Sequence, residues 1–367
     1  MFSFRLASAF VGVLLMAACG SSSTASPVAS PVSPASSEKF VLVGGSMVMK
    51  MDGTVIGTFP MAGVGSVGVG MQHAVGAYLI QSTTGSGKGW TIDAAGTVKD
   101  VAPAAMAILV PSGQGGWSPP LIIDSTTAVT VQGATNGLTA EAVDLATGAL
   151  RPLLAPVPYT GVMALQALTV LDVSSDRKTV WLSKVTPMSG MSGRLEILGI
   201  ELATGKVTSQ GMANALAGAE IAISVDGKTV AGQEDAGTDS SNLAIRHLHV
   251  VTLATGVDKD VQGTASYVGG QATPSVLFAP GGKSVAWWGG LNNGSNTYRI
   301  NVAALGGKGR TLQLDATQFG AVSAVYWADA STLVVQADLY RVFAINTTTT
   351  TTRLVSGNTG SLRAVIS

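Results

Sequence analysis

AEIAISVDGKTVAGQ (219–233) reads as a short apolar strand, a tight turn and a second strand. The turn is Asp226-Gly227. Gly supplies the positive φ that a tight hairpin demands at no steric cost, and Asp-Gly is a strong hairpin signal. The same element recurs as LTVLDVSSDRKTVWLS (168–183), PSVLFAPGGKSVAWWG (274–289) and AVSAVYWADASTLVVQ (321–336), with a worn copy at PPLIIDSTTAVTVQ (119–132). Its turn positions Asp124, Asp176, Asp226, Gly281 and Asp329 are 52, 50, 55 and 48 residues apart. A second hairpin runs between these copies, with a turn reading xATG or xDG. It appears in VMKMDGTVIG, WTIDAAGTVKD, AVDLATGALRP, GIELATGKVTS and VVTLATGVDKD, and degenerates to VAALGGKGRTL and FAINTTTTTTR. Those seven turns centre near Gly53, Gly96, Gly148, Gly205, Gly256, Gly307 and Thr349, at intervals of 42 to 57 residues.

Stretches such as AIAISV and RLEILGIEL carry apolar and β-branched residues bounded by turn formers, as strands do. No window after residue 40 places apolar residues at i, i+3, i+4 and i+7, so the chain is expected to be all-β. Four short strands about every 50 residues is the spacing of a β-propeller. The unit Ser224 to Ala231 (S-x-D-G-K-x-V-A) resembles the repeat of TolB-type and prolyl-oligopeptidase-type propellers, loosely called WD40-like. Ser175 to Lys178 and Pro280 to Lys283 match it in part, and the resemblance extends over 40–367. It implies an architecture; its motifs are turn chemistry and carry no catalytic residue.

Strand counting predicts how the ring closes. FVLVGG, MVMKMDG and TVIGTFP supply only three strands before the second unit, and SLRAVIS (361–367) is one left over after the seventh. Pairing the two removes an exposed sheet edge. The expectation is a seven-bladed propeller of four-stranded antiparallel blades over 39–367, closed by 361–367 as the inner strand of the first. Six or eight blades stay open because 104–118 and 155–165 are loosely patterned.

The front of the chain has a different character. Arg5 precedes a 13-residue apolar run, Leu6 to Ala18, which is the layout of a signal peptide and short for a bilayer span. Met16-Ala17-Ala18-Cys19-Gly20 resembles the lipobox of bacterial lipoproteins, with Met16 where Leu is commonest. That resemblance implies cleavage after Ala18 and acylation (diacylglycerol, palmitate) of Cys19, which would hold the protein to a membrane. Residues 19–38, dominated by Ser, Ala and Pro, cannot bury a core and read as an extended tether.

Composition excludes several classes of function. The 367 residues hold 21 Lys+Arg and 21 Asp+Glu, so net charge gives no reason to expect nucleic acid. Charged residues are only 11%. The single Cys excludes an internal disulfide framework and a Cys-based zinc cluster. Mean hydropathy is positive, yet beyond the first twenty residues no uncharged apolar run reaches a membrane-spanning length.

The candidate chemistry is sparse. His247 and His249 on one strand share a face, a geometry that can bind a metal, but no clustered carboxylate motif accompanies them and a solvent-facing role is expected. His73 opens an expected strand and reads as structural. Gly63 to Gly68 spells GxGxxG, but a strand pattern follows where a dinucleotide site needs a helix. Gly227-Lys228-Thr229 and Gly282-Lys283-Ser284 lack the earlier Gly of a phosphate loop and are repeat turns. Ser174 to Trp181 approaches a sialidase Asp-box, with Lys178 in place of its Gly, and no carboxylate pair is evident. No G-x-S-x-G elbow occurs. Glu234, Asp235 and Asp239 read as a solvated acidic loop.

No catalytic, cofactor-binding or metal-binding residue is therefore assigned. Trp117, in GQGGWSPP, and Trp288, beside Trp287, are the candidate ligand contacts, since an exposed Trp at the ring's mouth can stack on a sugar or a peptide aromatic. The expected function is a membrane-anchored extracytoplasmic lipoprotein whose propeller is a binding or assembly scaffold for an envelope protein, peptide or glycan. The alternative is an enzyme of lactonase, lyase or glycosyl hydrolase type using the channel mouth.

Overall fold

The computed structural model describes residues 40–43, 47–58, 76–81, 87–110, 120–158, 167–187, 193–217, 219–238, 244–267, 276–288, 297–315, 319, 322–337, 341–357 and 362–366. By its contacts the chain divides into 1–36 and 37–367; the described residues all belong to the second unit. The signal peptide, Cys19 and the tether lie outside the described residues.

The repeat turns do what their chemistry dictates. Strands β1 (Phe40–Val43), β2 (Met47–Lys50) and β3 (Val55–Thr58) form one antiparallel sheet with β27 (Leu362–Ile366), in the order β27-β1-β2-β3. Phe40 lies opposite Ile366 and Val41 opposite Val365, so the C-terminal strand closes the first blade as its inner strand. Five further four-stranded sheets follow. They are β7 (Leu121–Ile122) to β10 (Leu150–Pro152), β11 (Leu168–Val173) to β14 (Val207–Met212), and β15 (Ile221–Ile223) to β18 (Val257–Tyr267). The last two are β19 (Val276–Phe278) to β22 (Arg310–Asp315), and β23 (Val322–Trp327) to β26 (Thr352–Ser356). Each is a simple antiparallel meander.

The expectation of seven four-stranded blades is corrected here. Among the described residues there are six such blades, and residues 77–101 form a three-stranded sheet, β4 (Ala77–Gln81), β5 (Gly89–Asp93) and β6 (Val98–Val101). Its hairpin at Asp93–Thr97, with Gly96 at φ 79°, is of the kind that joins the third and fourth strands elsewhere. The three strands thus correspond to the outer three of a blade. Among the described residues no fourth strand joins this sheet, and six four-stranded blades is one of the counts the sequence left open. Strand β4 touches β27 on one side and β7 on the other, and the inner strands β7, β11, β15, β19, β23 and β27 touch in succession, which completes the circuit.

A second correction concerns the linker into the third sheet. Residues Pro103–Leu109 form a helix, α1, where no helix was expected. Pro103 stands in its first turn, where a missing N–H costs nothing. Ala, Met, Ile and Leu are good or tolerable helix formers. At seven residues it is too short for the apolar i, i+3, i+4, i+7 pattern to develop, and it buries Ala105, Met106 and Leu109 beside Ala77, Leu79 and Leu145. No helix among the described residues is long and apolar enough to cross a membrane.

The core lies between the blades. Seven clusters of buried residues occur, most drawing on the facing sides of neighbouring sheets. Three buried side-chain bonds tie sheets together across these seams. Gln233 Nε2 donates to Trp288 O at 2.9 Å, Trp327 Nε1 to Leu277 O at 3.1 Å, and the Leu362 amide to Gln336 Oε1 at 2.8 Å. The last fastens the closing strand to the blade before it.

Candidate functional site

In a four-stranded meander the first and third hairpin turns share one end of the sheet. The repeated Asp, Thr-Gly and Gly-Gly turns therefore gather at one end of the ring, the turn end. Backbone bonds confirm the gathering. The amides of Leu145, Leu202, Leu253 and Leu305 donate to the carbonyls of Thr126, Lys178, Lys228 and Lys283 at 2.7–2.9 Å, and Thr347 does the same to Ser331 at 2.7 Å. In five blades the third-strand turn is thus locked onto the first.

Carboxylates make the turns rigid. Asp176 Oδ1 accepts from the Ser174 hydroxyl at 2.6 Å and the Lys178 amide at 3.1 Å, while Ser174 Oγ accepts from the Thr179 amide. Ser224, Asp226, Lys228 and Thr229 repeat the arrangement. These bonds favour the ionised form. The Ser174 hydroxyl, then the Lys178 amide, hold Asp176 below the usual carboxylate range; the Thr147 hydroxyl does the same for Asp144 and the Thr54 amide for Asp52. All three are exposed, and their work is local turn geometry.

The opposite, loop end carries the other described connections, among them 102–110, 135–136, 153–158 and 213–217. None of these residues is charged. The turn end, by contrast, presents Arg177, Lys178, Lys206, Lys228, Lys283 and Lys308 beside its turn aspartates. Among these described connections the two ends differ in charge.

The inner strands β7, β11, β15, β19, β23 and β27 are mostly apolar, and Asp172 and Arg363 are their only charged residues. Asp172 is half-buried on β11 at a register shift, where its Oδ1 accepts from the Val173 amide at 2.7 Å.

The densest set of titratable groups lies on the sheet of 221–267. Glu234 of β16 (Thr229–Thr238), His247 and His249 of β17 (Ala244–Thr252), and Asp258 and Asp260 of β18 share one face. His249 Nε2 is 3.3 Å from Glu234 Oε2 and its Nδ1 is 3.2 Å from Asp258 Oδ1; His247 Nδ1 is 3.3 Å from Asp260 Oδ2. Sequence reading placed the two imidazoles together but missed their acidic partners, because pairing across three strands depends on register. Among the described residues no group of three or more His, Cys, Asp or Glu is placed to hold a metal ion.

Trp288 is not at a ring mouth. It is 1% exposed, inside the seam between the sheets of 276–315 and 322–356, while Trp287, 0% exposed, fills the seam on the other side. Adjacent strand residues do point to opposite faces, but both faces of this blade are covered by neighbours, so neither indole is free to stack on a ligand. Cys19, His73, Trp117, Asp239 and the Gly63–Gly68 string lie outside the described residues. Gly227 and Gly282 sit in turns with φ 69° and 68°, as repeat turns require.

The class of protein these sheets define is an antiparallel β-propeller. No family model matches the chain, and no curated protein matches it. Solved structures do. TolB from Acinetobacter baumannii aligns with a TM-score of 0.43 at 17% identity, over 79% of this chain and 65% of that one. The chain thus spans just under two thirds of that protein's length. An oligogalacturonate lyase from Vibrio parahaemolyticus aligns with a TM-score of 0.45 at 12% identity, over 78% and 77%. A putative TolB from Agrobacterium tumefaciens gives 0.35 at 11%, over 84% and 87%. At these values the similarity adds nothing on activity.

Proposed function

We propose that the chain is an extracytoplasmic lipoprotein, anchored to a membrane through acylated Cys19, whose propeller is a binding or assembly scaffold for an envelope protein, a peptide or a glycan. The Met16–Gly20 string and the tether of 19–38 support the anchor. The observation that carries the scaffold reading is the inner wall of the ring. Catalysis at a channel mouth needs acid, base or nucleophile groups from several blades converging on one reacting atom. Among the described inner strands the sequence holds one carboxylate, Asp172, and one guanidinium, Arg363.

Recognition on such a frame falls to the connections at a blade end, which can vary without disturbing the packed seams. By sequence, the segments between successive sheets hold few charged residues and include Trp117, which suits a neutral sugar or an uncharged peptide face better than an ionic ligand. Two measurements test this. Mass spectrometry of the membrane-extracted protein is expected to find an acylated peptide beginning at Cys19; an unmodified terminus elsewhere overturns the anchor. Pull-down with the body lacking its lipid is expected to retain a specific envelope partner. Turnover across a panel of glycans and lactones overturns the scaffold in favour of an enzyme.

A further inference from the structure

We infer that the outer edge of strand β18 is a docking site for an extended partner segment that carries Lys or Arg at alternate positions and adds to the sheet as a fifth strand. The site is separate from the connections between sheets and does not depend on the anchor. Its starting point is strand length. The outermost strands of the other sheets, β3, β6, β10, β14, β22 and β26, hold three to six residues, whereas β18 holds 11, an edge of about 35 Å. Strand β17 pairs with its inner side, and among the described residues no strand pairs with its outer side. A free edge offers a row of backbone N–H and C=O groups to any extended chain, and a short edge is the usual protection. The first four residues of β18, Val257, Asp258, Lys259 and Asp260, are all exposed.

Charge decides what that edge admits. Register places Asp258 and Asp260 on the same face as Glu234, His247 and His249, and no Lys or Arg of strands β15–β18 shares that face. A strand laid along β18 would set alternate side chains about 5 Å from the two aspartates. Cations there would pair with the carboxylates, and anions would be repelled. A second copy of this chain, paired edge to edge about a two-fold axis, would bring its own Asp258 and Asp260 to the same face and double the acidic charge. The aspartates therefore oppose self-pairing while selecting a basic strand, the use of repulsion that gives an interface its specificity. The imidazoles support both carboxylates, with His249 Nδ1 3.2 Å from Asp258 Oδ1 and His247 Nδ1 3.3 Å from Asp260 Oδ2. Val257 lies on the other face, where it favours an apolar residue between the partner's cations.

Synthetic strands offered to the full-length protein in neutral detergent test the site. The probe is a dye-labelled peptide, Thr-Lys-Val-Lys-Val-Lys-Val-Thr, followed by fluorescence anisotropy, with a counterpart that has Glu in place of Lys. The Lys peptide is expected to bind and the Glu peptide to fail. Asp258→Asn combined with Asp260→Asn is expected to weaken the Lys peptide about tenfold, at an unchanged melting temperature. Undiminished binding by that double variant overturns the charge assignment. Two further peptides, N-methylated either at the Lys residues or at the residues between them, separate strand addition from plain charge attraction. Each lacks the amide donors along one edge, so one is expected to bind like the parent and the other to fail. Equal binding by both overturns edge pairing.

Hydrogen exchange locates the contact. The bound Lys peptide is expected to slow exchange of the amides of Val257–Val261, whereas slowing confined to other sheets overturns the assignment to β18. Sedimentation in the same detergent covers the remaining occupant. The protein is expected to stay monomeric at micromolar concentration, and a dimer that excludes the Lys peptide would show that a second copy holds the edge, which overturns the proposal.

Discussion

Removing Leu362–Ser367 is expected to open the ring and abolish cooperative folding. Strand β27 buries Leu362, Ala364, Val365 and Ile366, each 9% exposed or less. Burying one large aliphatic side chain contributes about 1.5–3 kcal/mol, so the three large ones contribute about 5–9 kcal/mol together. The net stability of a folded domain is itself about 5–15 kcal/mol. Deletion also leaves Gln336 Oε1 without the Leu362 amide and exposes the β1 edge, which invites pairing with another chain. The assay is calorimetry with size-exclusion chromatography over a concentration series. The truncated protein is expected to lose its transition or to self-associate, and a synthetic peptide of 361–367 to restore it. Two point variants grade the effect. Ile366→Ala, at a fully buried site, is expected to cost about 2–5 kcal/mol. Gln336→Met, which leaves the Leu362 amide buried without an acceptor, is expected to cost about 1–3 kcal/mol. A truncated chain that stays monomeric and melts within a few degrees of the full-length protein would refute the closure argument.

Three further outcomes are expected. Thr350 is a β-branched residue at φ 60°, where other turns of its kind use Gly. The left-handed region costs a residue with a Cβ about 1–2 kcal/mol and Gly forfeits about half of that in chain entropy, so Thr350→Gly should raise the melting temperature slightly; a lower one would contradict the turn geometry. Trp288→Ala is expected to destabilise by about 3–5 kcal/mol through the cavity left in the seam, whereas a near-neutral result would show that the indole is not packed there. Acid should weaken the fold through Asp52, Asp144 and Asp176. Their folded values lie below the unfolded value of 3.8, so their contribution is fully present above it and is lost as pH falls through the lowered values. Melting temperature is expected to fall below about pH 4, and Asp176→Asn should lessen that fall if the Ser174 and Lys178 bonds are its source.

Much of the ring was legible because its turns are chemically explicit. Asp226-Gly227 and its copies predicted the hairpins, and the odd strand at 361–367 predicted the closure with β1. Legibility failed where local pattern is weak. Residues 59–75 are rich in Gly and Val without turn signals, so the sheet that follows could be assigned four strands on spacing alone, and three are described. Helix α1 was missed because seven residues span barely two turns. The bonds made by Gln233 and Gln336 were invisible because a Gln in a strand reads the same whether it faces water or the backbone of the next blade.

The Trp pair shows why the candidate site was hardest of all to read. Alternation along a strand separates buried from exposed residues only when one face of the sheet meets water. In a propeller each blade is covered on both faces. Strand β20 (Ser284–Trp288) therefore runs through four consecutive buried residues, Val285, Ala286, Trp287 and Trp288. Aromatic residues in the body of such a strand are packing by construction, however conspicuous they look in sequence. Residues free to meet a partner must come from the strand ends and their connections. That criterion removes Trp288, while Trp117 lies outside the described residues. It does not account for Glu234, His247, His249, Asp258 and Asp260, which lie within the second, third and fourth strands of their sheet and stay partly exposed, the His249 side chain least at 19%.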